Sequence, residues 1–348
     1  MYLDTVEGLY LRATGYYKDI PNGSCKIYHI SKLSRLLREG LIRQSKSGLS
    51  YRLTDKGYLA LENNGYKYER DKFAVGLSDK LYRRLEISEF ALIASDIADI
   101  FLSKPSDYNN GDIAFLPSFA LRRDKMSRVL GNSKMLGFLY TEAYVFIPYY
   151  LSERNKGLYP HIEQMLFTSQ AISLNKAPIV IYTGQTDYSE LFYQIHTELP
   201  KKARLSSFDK SINDFSCPVC LLPLSLNGAK QLNIMCQQNY RTKIAKAILL
   251  NNYKASKYMW FDAMKDDEPV IISVDLDIKR IKEAISKAKA VLNIFVLDFQ
   301  AAALIDYIVS LYGRKKINIY SVDYEHVSSV LNIQNCIKME EGGFLYVE

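Results

Sequence analysis

Four aspartates stand where a divalent cation could be held. Asp275, Asp277, Asp298 and Asp323 fall at the ends of the apolar runs VIISVDLD (270–277), NIFVLDF (293–299) and INIYSVD (317–323). In open α/β sheets ligands bind beyond the carboxyl ends of the strands, and carboxylates there can hold Mg²⁺ for phosphoryl chemistry. Asp277-Ile278-Lys279, with Asp262 or Glu268 upstream, has the outline of a D…[DE]-x-K nuclease arrangement. The competing role is plainer: an aspartate that starts a helix accepts hydrogen bonds from the free first-turn amides, and Asp277 sits where an N-cap belongs. The plainer role is preferred, so no catalytic residue and no metal ligand is assigned, and the chain is read as a non-enzyme without a cofactor.

The remaining reactive types point the same way. Cys217-Pro218-Val219-Cys220 has the spacing of half a zinc knuckle or a dithiol, but a structural zinc site needs four ligands. No second C-x-x-C exists, and Cys236 and His196 stand at no recognisable spacing from the first. The pair opens an apolar strand, CPVCLLPLS, which suits buried reduced thiols. Five cysteines (25, 217, 220, 236, 336) in 348 residues argue for a reduced, cytoplasmic protein rather than a disulfide scaffold. His29, His161, His196 and His326 form no metal or triad spacing. The tyrosines 140, 144, 149 and 150 lack the nearby histidine cluster that a relaxase-type nucleophile would use, and are expected to pack on a pleated sheet. Gly184 follows the strand PIVIYTG, but TGQTD carries neither G-x-G-x-x-G nor a Walker pattern.

The elements that must position these residues alternate. Strands are expected at 112–117 and 136–150, the latter as the tyrosine-rich hairpin GFLYTEAYVFIPYY. A helix from Pro160 to Asn175 follows, then PIVIYTG (178–184), a helix over 187–199, PVCLLPLS (218–225) and a helix over 228–250. The strand, helix, strand pattern continues to residue 323. Continuous apolar runs between helices predict a buried, mostly parallel sheet. No internal repeat is visible. The expected organisation is α/β. Residues 1–68 make a small N-terminal domain and 69–77 a linker. Residues 78–348 make a larger α/β domain with a seam at the polar stretch 201–216 (KKARLSSFDKSINDFS). No run of about 18 apolar residues reads as a membrane span, and the N-terminal stretch lacks the basic region of a signal peptide.

Charge is concentrated at one end. Residues 1–70 hold 12 Lys and Arg against 7 Asp and Glu, a net of +5 within a whole-chain net of +7. Such local positive charge is the electrostatic footprint of nucleic-acid binding. Within it, KIYHISKLSRLLREGLIRQSKSGLSYRLTDKG (26–57) predicts a helix from Lys26 to Glu39 with Ile27, Ile30, Leu33 and Leu37 on one face. Gly40 stops it. A hairpin follows around Lys46-Ser47-Gly48-Leu49, and Thr54 caps the next helix. The opposite helix face offers Lys26, Tyr28, His29, Ser31, Lys32, Arg35 and Arg38 to a major groove, with Ser31, Lys32 and Arg35 nearest the bases. Arg43, Lys46 and Arg52 on the hairpin suit phosphate or minor-groove contact.

The order helix, glycine stop, hairpin and capped helix is that of a winged helix-turn-helix. Leu36-Leu37-Arg38-Glu39-Gly40-Leu41-Ile42-Arg43, followed by Tyr51-Arg52-Leu53-Thr54-Asp55-Lys56-Gly57, resembles the L-x-E-G-L-I … Y-x-L-T-x-K-G pattern of bacterial winged-helix proteins. Among these it is similar to the replication-relaxation family of plasmids and integrative conjugative elements. The likeness covers about 50 residues. The long tyrosine-rich α/β region and the strand end Val296-Leu297-Asp298-Phe299-Gln300 lean toward the same family. The resemblance implies a double-stranded DNA-binding accessory of plasmid replication, mobilisation or conjugative transfer. Its α/β part would be nuclease-like but degenerate, and its partners a relaxase or other DNA-processing protein, with a homodimer compatible. Two alternatives stand beside it: a transcription regulator whose α/β domain senses a small ligand, and a metal-dependent nuclease using the aspartate edge.

Overall fold

The computed structural model describes residues 5–22, 30–70, 77–109, 111–123, 133–152, 157–184, 187–196, 206–313, 316–333, 337–340 and 343–346. The chain forms two compact units, residues 1–103 with 335–348, and residues 104–334.

The first unit begins with helix Val6–Tyr17, capped by Thr5, whose Oγ1 accepts from the Gly8 N–H at 3.3 Å. Strand β1 (Ile20–Pro21), helix Ile30–Arg38, strands β2 (Ile42–Gln44) and β3 (Ser50–Leu53) and helix Asp55–Glu62 follow. The strands form an antiparallel sheet in the order β1-β3-β2, with Ile20 opposite Tyr51 and Ile42 opposite Leu53. Leu33, Leu36, Leu41, Ile42, Leu53 and Leu61 are buried with Leu11 and Tyr17 of the first helix. The expected apolar stripe therefore shifts: Leu36 rather than Leu37 is buried beside Leu33, and Leu37 is 37% exposed. Helix Asp79–Ala94, capped by Ser78, belongs to this unit, and its Arg84 reaches Asp19. Residues beyond helix Asp55–Glu62 pack here too. The Arg12 guanidinium lies over the rings of Tyr66 (4.4 Å) and Phe101 (4.1 Å).

The second unit holds two five-stranded sheets. In the first, β4 (Ala114–Pro117), β5 (Gly137–Tyr140) and β6 (Tyr144–Tyr150) form an antiparallel meander, and β8 (Ala177–Thr183) and β10 (Val219–Leu222) continue it parallel to β6. A small pair, β7 (Gly157–Leu158) with β9 (Ser206–Ser207), lies apart. In the second sheet β11 (Lys254–Ala255), β12 (Ala263–Lys265) and β13 (Glu268–Ile272) are antiparallel, and β14 (Leu292–Leu297) and β15 (Ile317–Val322) continue parallel to β13. A last hairpin, β16 (Ile337–Glu340) and β17 (Gly343–Tyr346), belongs to the first unit and pairs antiparallel. The α/β class holds, but the mostly parallel sheet does not: both sheets are mixed. The reason is physical. β4 and β5 are buried on both faces, so they lack the polar alternation that marks a half-exposed antiparallel strand. The strands β11 and β12 are too short to leave a readable run.

Both sheets share one plan: two antiparallel strands, then three parallel strands joined through helices, in sequential order. They meet where the Leu221 N–H of β10 donates to the Leu276 carbonyl at 3.2 Å, beside a bridge between Cys220 and Asp277. The helix expected over 228–250 is two, Leu226–Met235 and Tyr240–Leu249, broken where Asn239 takes a left-handed φ of 56°. Among the described residues, no helix is long and apolar enough to cross a membrane.

Candidate nucleic-acid interface

The segment from 36 to 57 is built from backbone locks. Helix Ile30–Arg38 ends in a Schellman arrangement: Gly40 N–H donates to the Leu37 carbonyl and Leu41 N–H to that of Leu36, both at 2.9 Å. Gly40 has φ +68°, which a side chain resists. Thr54 then acts twice. Its Oγ1 donates to the Gly40 carbonyl at 2.6 Å and accepts from the Gly57 N–H at 3.1 Å. Lys56 Nζ donates to the Glu39 carbonyl at 2.7 Å, placing a cation on the carboxyl end of the preceding helix. Gly57 lets the next helix approach: a Cβ there would stand 2.1 Å from the Leu41 carbonyl oxygen. The motif's threonine, lysine and second glycine thus weld the β2–β3 hairpin to the helix before it.

Of the ten sequence-assigned DNA-binding residues, Lys26, Tyr28 and His29 lie outside the described residues. Ser31 and Lys32 lie on helix Ile30–Arg38. Arg35 is 59% exposed on that helix but engaged, its Nε donating to Glu39 Oε1 at 2.9 Å, with Glu7 at 3.9 Å. That hydrogen bond lowers the Glu39 carboxyl below its usual range. Arg38, Arg43 and Lys46 are exposed. Arg52 departs from the others. It faces Arg43 across the hairpin, and its guanidinium turns to the buried Asp19 at 3.4 Å. Asp19 also accepts from Ser50 Oγ (2.9 Å) and Arg84 (3.2 Å). Two like charges directly opposite repel; Asp19 neutralises one and leaves Arg43 outward.

The strand-end aspartates do not converge on an open site. Asp275 is fully buried, accepts from Arg241 Nε at 2.7 Å, and is also bonded by the Tyr240 hydroxyl. Burial works to raise its carboxyl, but Arg241, Arg280 and the Tyr240 hydrogen bond outweigh that and hold it below the usual range. Asp277 caps helix Ile278–Lys287 through the Arg280 N–H and meets Arg241 at 3.1 Å; burial raises it. Asp262, the upstream member of the nuclease-like outline, is ion-paired to Arg280 and accepts from the Ile272 N–H at 2.6 Å. Asp323 caps helix Tyr324–Leu331 through the His326 N–H, and Asp298 is an exposed first-turn residue. Among the described residues no group of three or more His, Cys, Asp or Glu is placed to hold a metal ion.

Cys217, Cys220 and Cys236 are free thiols inside the fold; burial pushes Cys217 up to about 12 and the other two well above their ordinary value. Thiols so raised carry no thiolate near neutral pH. Cys25 and Cys336 lie outside the described residues. Tyr149 is buried, its hydroxyl donating to the buried Glu163 at 2.9 Å, and Tyr140 is buried and stacked on Tyr108. His161, His196 and His326 are all exposed, and His196 stacks on Tyr307.

No protein-family model, curated protein or solved structure matches the chain. Sequence reasoning passed over Lys56, Gly57, Asp19 and Arg84 as parts of the interface. Lys56 and Gly57 were legible within the motif itself, whereas the Asp19–Arg52–Arg84 cluster joins residues 65 positions apart and leaves no local signal.

Proposed function

We propose that the first unit is a winged helix-turn-helix that docks on duplex DNA, and that the chain is an accessory of replication, mobilisation or transfer of a mobile element. What supports the docking is one juxtaposition: exposed Arg38 on helix Ile30–Arg38 and exposed Arg43 and Lys46 on the hairpin, which Lys56 and Thr54 tie to that helix. The strand order β1-β3-β2, with the hairpin directly after the helix, accords with this plan. The helix reads the major groove and the hairpin grips the adjoining backbone. The mobile-element role rests on the resemblance of residues 36–57. The Arg241 guanidinium against Asp275 and Asp277 weighs against the nuclease alternative, because a metal would compete with a charge already in place.

With Arg52 held by Asp19 and Arg35 paired with Glu39, the exposed cations Arg38, Arg43 and Lys46 remain for phosphates, which gives a log–log salt slope of about −2.7. The test is fluorescence anisotropy of the full chain on duplex DNA across a salt series. Arg43→Ala with Lys46→Ala should flatten the slope by roughly 2, and Arg52→Ala should leave it nearly unchanged while lowering thermal stability. A slope indifferent to Arg38, Arg43 and Lys46 would remove the docking reading.

A further inference from the structure

The second unit carries a surface that the duplex-docking reading does not use. The loop between β11 and β12, with the residues before it, runs Tyr253-Lys254-Ala255-Ser256-Lys257-Tyr258-Met259-Trp260. Tyr258 is 58% and Met259 86% exposed. Large apolar side chains this open are not needed to cover a core. The rings of Tyr258 and Trp260 lie 6.2 Å apart at an interplanar angle of 23°, forming a small stacked platform. Cations frame it. Lys287 Nζ sits 5.4 Å from the Trp260 ring and Lys246 Nζ 5.8 Å from the Tyr253 ring, while Lys254 and Lys257 are exposed on the loop itself. Among the described residues no carboxylate forms an ion pair with Lys246, Lys254, Lys257 or Lys287. Asp262 faces inward on Arg280, and the acidic turn Asp266–Asp267 lies at the other end of β12.

We propose that this loop binds single-stranded nucleic acid, stacking bases on Tyr258 and Trp260 while Lys246, Lys254, Lys257 and Lys287 take the phosphates. An exposed tyrosine ring beside the half-buried Trp260, interleaved with exposed lysines, suits a strand whose bases are unstacked and whose backbone is anionic. A duplex buries its base faces and gives the rings nothing to stack on. The neighbouring lysines favour an anionic partner over an apolar protein surface. The surface lies wholly on the second unit, so it stands or falls apart from the winged-helix reading.

Trp260 is the chain's one tryptophan, so its emission reports this site alone. The full chain is titrated at low salt with an oligothymidylate of about 16 nucleotides, with the same length of duplex, and with anionic phospholipid vesicles. Saturable quenching by the single strand, weaker with duplex, is the expected result. Tyr258→Ala should weaken it roughly 5- to 150-fold. Lys254→Glu with Lys257→Glu should abolish it with an unchanged circular-dichroism spectrum. Arg43→Ala with Lys46→Ala in the first unit should leave it intact. No quenching, equal quenching by duplex, quenching that survives the lysine reversal, or a response to vesicles alone would each overturn the proposal.

Discussion

At the scale of single residues, the chain places charge deliberately. Arg43 and Arg52 face each other across a hairpin, and a buried aspartate decides which of them solvent sees. A different carboxyl, Asp96, follows helix Asp79–Ala94 and has its ionisation pushed up to about 7 by burial. Its folded-state affinity for a proton exceeds that of the unfolded chain, near 3.9. Stability from this group is therefore fully present below pH ~4 and falls as pH rises toward 7, by at most ~1.4 kcal/mol per pH unit. Asp96→Asn should raise the melting temperature at pH 8, have little effect at pH 4, and flatten the profile between. A melting temperature displaced equally at all pH values would contradict it.

At the scale of elements, what was legible in the sequence is what is settled locally. Gly40, Thr54 and the hairpin turn act on backbone within a few residues, and each stands where its residue type predicts. Asp277 and Asp323 cap helices for the same reason. Strand pairing is different, since direction depends on partners far along the chain. The runs at 112–117 and 136–150 read as strands, but nothing in them announces that β4 and β5 pair antiparallel. The neighbours of Asp262 and Asp277 are equally silent in the sequence: Arg280 and Arg241 reach them from other elements, and only the fold brings them there. Gly57 tests the local locks. Gly57→Ala drives a methyl group against the Leu41 carbonyl oxygen and should cost about 2–4 kcal/mol, read as a lowered denaturation midpoint with duplex affinity weakened in parallel. An unchanged midpoint would mean that the hairpin and the helix before it part easily.

At the scale of the whole molecule, the second unit is a single strand plan used twice, without a readable sequence repeat. The two sheets join through β10 and the segment 273–277, where Arg241, Asp275, Asp277 and Gln231 fill the seam with hydrogen bonds. A buried pair broken on one side leaves an uncompensated charge. Asp275→Asn should therefore destabilise by about 2–4 kcal/mol, tempered by Asp277, which still faces Arg241. The Asp275 carboxyl is held below its usual range, so its contribution is present above pH ~4 and lost as pH falls through its lowered value. The substitution should flatten the acid limb of the unfolding profile. An unaltered acid limb would show that the seam is held by packing alone.

The welding of residues 36–57 also has a consequence in time. The Schellman end, the Thr54 cap, the Lys56 clamp and the β2–β3 hairpin all close between residues fewer than 20 apart. Loops that short cost little entropy to close and form early, whereas the parallel pairing of β6 with β8 must wait for a crossover of more than 25 residues. On refolding, the β2–β3 hairpin and the helix before it should acquire protected amides before the parallel strand pairs of either large sheet do.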